Sequence, residues 1–180
     1  SLDADLVEVG AAVELEWMDK DDSRLFSCLV VAKDEDISDE VTIKFKGLMN
    51  SRRKPTHSRQ SVTYRATSRG LFQPGNDKWP KATMRPTPPE TPSDFFEQLA
   101  SGDLAQLHDV DLCCWTPVRV LSVVPLPVGS NESQRFQVLL QGSDTSRWVA
   151  GLELRPHWDY EPWNDDHDDL NNWTLKKRND

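Results

Sequence analysis

Two charged stretches in the first third of the chain carry side chains that could bind a partner directly. The turn "MDKDDS" places three carboxylates close together, at Asp19, Asp21 and Asp22. They could contact a basic peptide, or they could form a solvated turn. The segment "SRRK" places three cations in succession, at Arg52, Arg53 and Lys54. They could neutralise the phosphates of a nucleic acid, or they could belong to a loop stabilised by an acidic body.

The charge of the chain favours the second reading of the basic segment. The net charge is −9, but it is unevenly spread. Residues 1–46 carry 13 acids and 5 bases, residues 47–90 carry 2 acids and 9 bases, and residues 91–180 carry 15 acids and 7 bases. An acidic body therefore holds one basic segment. We expect this body to attract a peptide rich in Lys and Arg and to repel nucleic acid, except near the basic segment.

The motifs of enzymes and metal sites do not occur in the sequence. It has no G-x-S-x-G, no glycine loop that would hold a phosphate and no H-E-x-x-H. The three cysteines form no C-x-x-C, and the four histidines are scattered without ligand spacing. We therefore expect no catalysis, no metal and no cofactor. An odd number of cysteines with an adjacent pair favours reduced thiols, and no apolar run approaches the roughly 20 residues that cross a membrane.

Short alternating runs predict a mostly β fold. Stretches such as "AAVELEW", "EVTIKFKG" and "RFQVLLQG" have the period of strands and are separated by polar turns. One helix is predicted after the proline-rich connector "RPTPPETP". It should begin with Ser93 as N-cap and Asp94 in the first turn, and end before Gly102. Its apolar stripe consists of Phe95, Phe96 and Leu99.

The chain also contains an internal repeat. Gly10–Leu15 matches Gly102–Leu107 at an offset of 92 residues. Two further matches keep the same order, at offsets of 95 and 70: Ile43–Gly47 with Val138–Gly142, and Met84–Pro86 with Leu154–Pro156. The offset falls from 95 to 70 residues between the last two matches. The first copy therefore carries extra residues between Gly47 and Met84, and these form the basic insertion at 49–75.

These residues resemble a plant-type tandem Agenet pair, the Tudor-like modules of the Royal superfamily. The resemblance lies in the G-x-x-V-E-L-x-W opening at Gly10–Trp17, the C-W-x-P-x-x-V stretch at Cys114–Val120, the strand that ends in Phe45–Gly47, and the repeated L/M-R-P closing. It implies two small bent-sheet or barrel modules joined by a proline-rich connector and a short helix. The expected division is 6–90 for the first module, 91–101 for the connector helix, 102–163 for the second module with an aromatic tail, and 164–180 for an acidic polar tail.

The resemblance also implies a binding site, because such modules hold a methylated lysine in a cage of aromatic rings. A methylated ammonium is cationic but poorly hydrated, so aromatic faces can solvate it. The family positions fall on Trp17, on Phe26 or its immediate neighbour, and on Phe45. We expect these side chains to be partly exposed. The matched positions of the second copy are Asp109, Trp115 or Thr116, and Leu140, so the second cage should be incomplete.

The leading hypothesis is a non-catalytic chromatin reader that binds a methylated histone tail, with Asp19, Asp21 and Asp22 contacting flanking basic residues. We expect a nuclear protein and a monomeric module of a larger chain, with no membrane partner. One alternative is nucleic-acid binding through the basic insertion. The other is a scaffold that binds proteins without regard to methylation, in which Trp17 and Phe45 are simply core residues.

Overall fold

The chain folds into two compact units. The computed structural model describes residues 8–18, 22–34, 36, 39–50, 54–67, 70–72, 81–125, 129, 134–161 and 173–177. Unit 1 consists of Ser1–Thr87 and Asp109–Trp115, and unit 2 consists of Pro88–His108 and Thr116–Asp180. The division predicted from the sequence assigns residues 109–115 to the second module, whereas in the structure they belong to unit 1. No helix in the described part of the chain is long and apolar enough to span a membrane.

Unit 1 is a strongly bent antiparallel sheet. Its strands are β1 (Ala12–Trp17), β2 (Leu25–Lys33), β3 (Glu40–Phe45), β4 (Ser61–Thr67), β5 (Gly70–Phe72) and β6 (Ala82–Pro86). Each strand pairs with the next, and β1 also pairs with β6, so the pairings form a circuit that returns to β1. The core side chains recur with a period of two, as at Val13, Leu15 and Trp17 of β1. The alternation read from the sequence therefore predicts this sheet correctly.

The segment 109–115 is held in unit 1 by backbone hydrogen bonds and by the side chains of Leu112 and Cys114, which belong to the core of this unit. Leu48 N donates to Asp111 O at 3.2 Å, and Ser27 N donates to Cys113 O at 2.9 Å. The backbone of Leu112 lies so close to Gly47 that a Cβ at Gly47 would overlap the Leu112 carbonyl. Only glycine allows this approach.

Unit 2 is also built from antiparallel strands. Its strands are β7 (Leu104–Asp109), β8 (Cys114–Val124), β9 (Arg135–Leu140), β10 (Ser146–Ala150) and β11 (Leu154–Pro156), with a single 3-10 turn at Gly151–Glu153. The strand order is β10-β9-β8-β7-β11. Ala105, Leu107, Val118, Val120, Phe136 and Val138 form the centre of its core, each at most 1% exposed. The predicted mostly β class is confirmed.

The predicted helix is shorter than expected and begins one residue later. Helix α1 (Phe95–Gln98) is one turn long, and Asp94, not Ser93, occupies the N-cap position. Gln98 Nε2 donates to Asp94 Oδ2 at 2.7 Å, which fixes the carboxylate beside this turn. The apolar stripe is confirmed, because Phe95, Phe96 and Leu99 pack with the core of unit 2. The helix is therefore part of unit 2 and not only a connector.

The predicted polar tail contains a strand. β12 (Trp158–Tyr160) pairs with β13 (Trp173–Leu175), so part of the predicted tail belongs to a two-stranded sheet. The Trp173 side chain is only 9% exposed, and its ring centroid lies 4.9 Å from that of Tyr160. Burial of the Trp173 ring beside Tyr160 explains why Trp173 does not behave as part of a solvated tail. Residues 164–172 of the predicted tail lie outside the described residues.

The internal repeat is visible in the strand registers. Gly10 N donates to Val30 O at 2.8 Å, and Gly102 N donates to Val120 O at 2.8 Å. Both glycines have a positive φ, 93° and 91°. Strands β2 and β8 each carry a register shift directly after the valine, between Val30 and Ala32 and between Val120 and Ser122. The two copies therefore share a glycine turn and a β-bulge at matching positions.

Candidate functional site

The three aromatic residues predicted to form a cage come together in unit 1. Trp17 is the last residue of β1, Phe45 is the last residue of β3, and Phe26 is the second residue of β2, which pairs with both strands. The ring centroid of Trp17 lies 5.5 Å from that of Phe26 and 5.7 Å from that of Phe45. The Phe26 and Phe45 centroids lie 6.1 Å apart. Together the three rings are called the aromatic cluster.

The strand register settles which residue of β2 joins the cluster. The sequence leaves this position open by one residue, and a slip of one residue would turn a side chain to the opposite face. Leu15 of β1 pairs with Phe26, and Cys28 pairs with Phe45 of β3. Phe26 is therefore on the inner face with Leu15 and Phe45, and its ring contacts both other members of the cluster.

The expectation that the cluster is partly exposed is wrong for this structure. The exposed fractions are 2% for Trp17, 0% for Phe26 and 1% for Phe45. The rings pack on one another and on the core of unit 1, and this mutual contact removes them from solvent. The cluster is therefore closed in the ligand-free chain, and a ligand could reach it only after a neighbouring group moves.

The group that covers Phe26 is a cation. The guanidinium carbon of Arg24 lies 5.2 Å from the centroid of the Phe26 ring, within the range of a cation–π contact. Asp22 holds Arg24 there through a bidentate pair, with 2.9 Å from Arg24 Nε to Oδ1 and 2.8 Å from Arg24 Nη2 to Oδ2. The hydrogen bond to Asp22 raises the pKa of Arg24 above its ordinary value, against the effect of burial. Arg24 is thus a fixed cation at the edge of the cluster.

The predicted peptide-binding acids are only partly within the described residues. Asp19 and Asp21 lie outside them. Asp22 is 8% exposed, and its carboxylate also accepts a hydrogen bond from Arg24 N at 3.1 Å. Asp22 is therefore already occupied by Arg24. It could bind a cation of a partner only if Arg24 leaves.

Among the described residues, the basic insertion pairs with the rest of unit 1 through strand β4, which lies beside β3. Arg52 and Arg53 lie outside the described residues, and Lys54 is exposed next to the short bridge between Met49 and Pro55. Lys54 N donates to Asn50 Oδ1 at 3.2 Å, which closes this loop. Arg65 pairs with Glu40 at 2.9 Å between Nη2 and Oε1. This ion pair joins the insertion to the acidic body of unit 1.

The second copy lacks the aromatic cluster. Val118 pairs with Leu140 in unit 2 as Cys28 pairs with Phe45 in unit 1, so Leu140 is the counterpart of Phe45. Cys28 of β2 therefore corresponds to Val118 of β8. Two residues earlier in each strand, Phe26 corresponds to Thr116, so Thr116 and not Trp115 occupies the second position that the sequence leaves open. Asp109 matches Trp17, and its carboxylate accepts a hydrogen bond from Leu112 N at 3.0 Å. None of the three counterparts is aromatic.

Sequence reasoning missed a pair of equivalent polar contacts. In unit 1, Glu14 of β1 is directly opposite Arg85 of β6, and Arg85 Nη2 lies 2.9 Å from Glu14 Oε1. In unit 2, Gln106 of β7 is opposite Arg155 of β11, and Arg155 Nε donates to Gln106 Oε1 at 2.7 Å. The repeated M/L-R-P closing was the available signal, because it places an arginine at the same position in both copies.

The cysteines are not members of the aromatic cluster. All three are free thiols, and burial raises the pKa of Cys28 well above its ordinary value, so this thiol stays protonated. In the part of the chain that the structure describes, no three histidine, cysteine or acidic residues are grouped so that they could hold a metal ion.

The fold defines a class of protein. Two β units with matching glycine turns, bulges and arginine closings form a tandem Tudor-like architecture, and the fold is that of a tandem Agenet-type domain protein. A crystal structure of AGDP1 AGD34 from Arabidopsis thaliana matches with a TM-score of 0.57 and 16% identity, covering 95% of this chain and 90% of that chain. A crystal structure of ADCP1 tandem Agenet domain 3-4 matches with a TM-score of 0.55 and 16% identity, covering 95% and 89%. The resemblance read from the sequence is confirmed at the level of the fold.

Two further comparisons gave no match. No protein-family model matches the chain. No curated protein matches it either.

Proposed function

We propose that the chain is a non-catalytic chromatin reader in the nucleus, and that unit 1 binds a methylated lysine of a histone tail through Trp17, Phe26 and Phe45. The observation that carries this proposal is the convergence of three aromatic rings from three different strands, with centroids 5.5 to 6.1 Å apart. In the ligand-free chain these rings contact one another, so they can surround a methylated ammonium only after they separate. The ammonium is cationic but weakly hydrated, which favours its transfer from water to aromatic faces.

The Arg24 contact supports the same assignment. A cation already lies over Phe26, so the face of this ring is one that stabilises positive charge. A methylated lysine would take a similar place once Arg24 turns away. Asp22 could then pair with a basic residue of the same peptide, which would restore the charge balance at this edge.

The test is a titration with two histone-tail peptides that differ only by trimethylation of one lysine. We expect unit 1 to favour the methylated peptide by at least about tenfold, since each good cation–π contact contributes about 0.5 to 2 kcal/mol. Phe45→Leu should remove this preference, because the leucine keeps an apolar side chain but has no aromatic face. Isothermal titration calorimetry gives both affinities.

Phe136→Leu in unit 2 is the matched control. Phe136 is buried at 0% exposure, as Phe45 is at 1%, so the two substitutions cost similar stability, about 1 to 2 kcal/mol. Only Phe45→Leu should change the preference for methylation. Equal losses of preference in both variants would show that the effect arises from stability, and the assignment of the cluster would be withdrawn.

A second prediction concerns access to the cluster. Arg24→Ala should strengthen binding of the methylated peptide about threefold to tenfold, because the ligand no longer has to displace a cation held by Asp22. The control is Arg65→Ala, which removes the same charge from unit 1 by breaking the pair with Glu40. Unchanged or weaker binding in Arg24→Ala would mean that the guanidinium does not cover the binding face.

A further inference from the structure

A second surface with the properties of a binding site lies in unit 2, on the outer face of strands β8, β9 and β10. Along β9, Phe136 and Val138 point into the core and are fully buried, so Arg135, Gln137 and Leu139 point outward. Directly paired residues share a face, which places Trp148 beside Gln137 and Arg119 beside Leu139. Arg135 is the diagonal neighbour of Trp148.

Among the aromatic residues whose burial the structure describes, Trp148 is the exposed one. It is 48% exposed although it lies within a regular strand, and Val124 at the end of the same face is 45% exposed. Burial of a tryptophan is favourable, so an indole on an outer sheet face is a feature of interaction surfaces. Within the described residues, the Trp148 side chain makes no hydrogen bond and no contact with another aromatic ring.

The three strands are also basic in an acidic protein. The chain has 30 acidic residues, yet none of them falls in β8, β9 or β10, whose charged residues are Arg119, Arg135 and Arg147. All three arginines are exposed. Arg24, Arg65, Arg85 and Arg155 form hydrogen bonds or ion pairs with side chains of their own unit. Across the described residues, the arginines of these three strands form no such contact.

We infer that this face, centred on Trp148 and flanked by Arg119 and Arg135, binds single-stranded nucleic acid. A base can stack on the exposed indole, and each unpaired guanidinium can pair with a phosphate. An acidic peptide would satisfy the arginines but would leave the indole without a flat partner, so the combination favours nucleic acid. The surface is distinct from the aromatic cluster and from the basic insertion, both of which belong to unit 1.

The test measures binding of a fluorescein-labelled oligothymidylate of about 12 nucleotides by anisotropy over a range of salt concentrations. Trp148→Ala should weaken binding about tenfold, because it removes one stacking platform. The double variant Arg119→Gln and Arg135→Gln should flatten the log–log salt dependence by about 1.4, since each phosphate contact on a single strand contributes about 0.7. All three substituted side chains are exposed or half-exposed, so thermal melts of the variants should match the parent chain.

The matched control removes the same charge from unit 1. Arg59→Gln with Arg65→Gln alters two exposed arginines of the basic insertion, and it should leave the salt dependence unchanged. An equal flattening in this control would place the nucleic acid on the insertion and overturn the inference. The inference would also be overturned if the chain bound polyglutamate, or a duplex of the same length, as tightly as the oligothymidylate. The same holds if the Trp148→Ala variant bound the oligothymidylate as tightly as the parent chain. None of these results depends on binding of methylated lysine, so the two proposals can fail separately.

Discussion

Gly47→Ala is expected to destabilise unit 1 by about 3 kcal/mol, a loss at the upper end of overpacking changes. The added methyl group would overlap the carbonyl of Leu112 and lie 2.9 Å from Leu112 Cα. Both obstacles are backbone atoms, which cannot rotate away as a flexible side chain can. Relief therefore requires the segment 109–115 to move, and with it the hydrogen bonds from Leu48 to Asp111 and from Ser27 to Cys113.

Gly142 provides the control, because it is the counterpart of Gly47 in the second copy. Nothing lies near a Cβ built at Gly142, but this residue has φ 74°, in the left-handed region. Gly142→Ala should therefore cost about 1 to 2 kcal/mol through backbone strain alone. Thermal unfolding with amide hydrogen exchange distinguishes the two variants, because exchange should accelerate in β3 for Gly47→Ala only. A Gly47→Ala chain as stable as the parent would show that segment 109–115 is not packed against β3.

These two glycines illustrate which features of the fold the sequence can predict. The repeat that contains them follows from local patterns, because alternation of apolar residues and the G-x-x-V/A-E/Q-L openings specify strands within short windows. The requirement for glycine at position 47 does not follow from such local patterns, because the backbone that approaches it is that of Leu112, more than sixty residues later. A close approach of two backbones leaves no compositional signal. The return of 109–115 to unit 1 was unpredictable for the same reason.

The convergence of the three rings of the aromatic cluster was predicted, but their burial was not. Trp17, Phe26 and Phe45 converge as the resemblance implies, because strand order brings the ends of β1 and β3 to the start of β2. Their burial could not be read from the sequence, since an aromatic residue on the inner face of a small sheet can either pack in the core or line an opening. The position of Arg24 over Phe26 depends on a side-chain rotamer held by Asp22. The pairing of these two side chains was not anticipated.

Glu14→Ala is expected to cost about 3 kcal/mol, the lower end of the range for breaking a buried pair, because it leaves the partly buried guanidinium of Arg85 without this carboxylate. Glu14 is 3% exposed, and its Oε1 accepts hydrogen bonds from both Nε and Nη2 of Arg85, at 3.1 and 2.9 Å. The second copy shows which replacement the position tolerates. There a glutamine, Gln106, accepts the hydrogen bond from Arg155 in the same register.

Glu14→Gln should therefore cost only about 1 kcal/mol, because the amide oxygen remains as an acceptor and only the charge is lost. Glu16→Ala, two residues along the same strand and exposed, should change stability by less than about 0.5 kcal/mol. Urea unfolding of the three variants gives the ranking. If Glu14→Gln were as damaging as Glu14→Ala, the charge of Glu14 would be essential, and its replacement by Gln106 in the second copy would require a different carboxylate near Arg155. If all three variants unfolded like the parent chain, the Glu14–Arg85 pair would contribute nothing to stability, and the repeated arginine would need an explanation outside the folding of the two units.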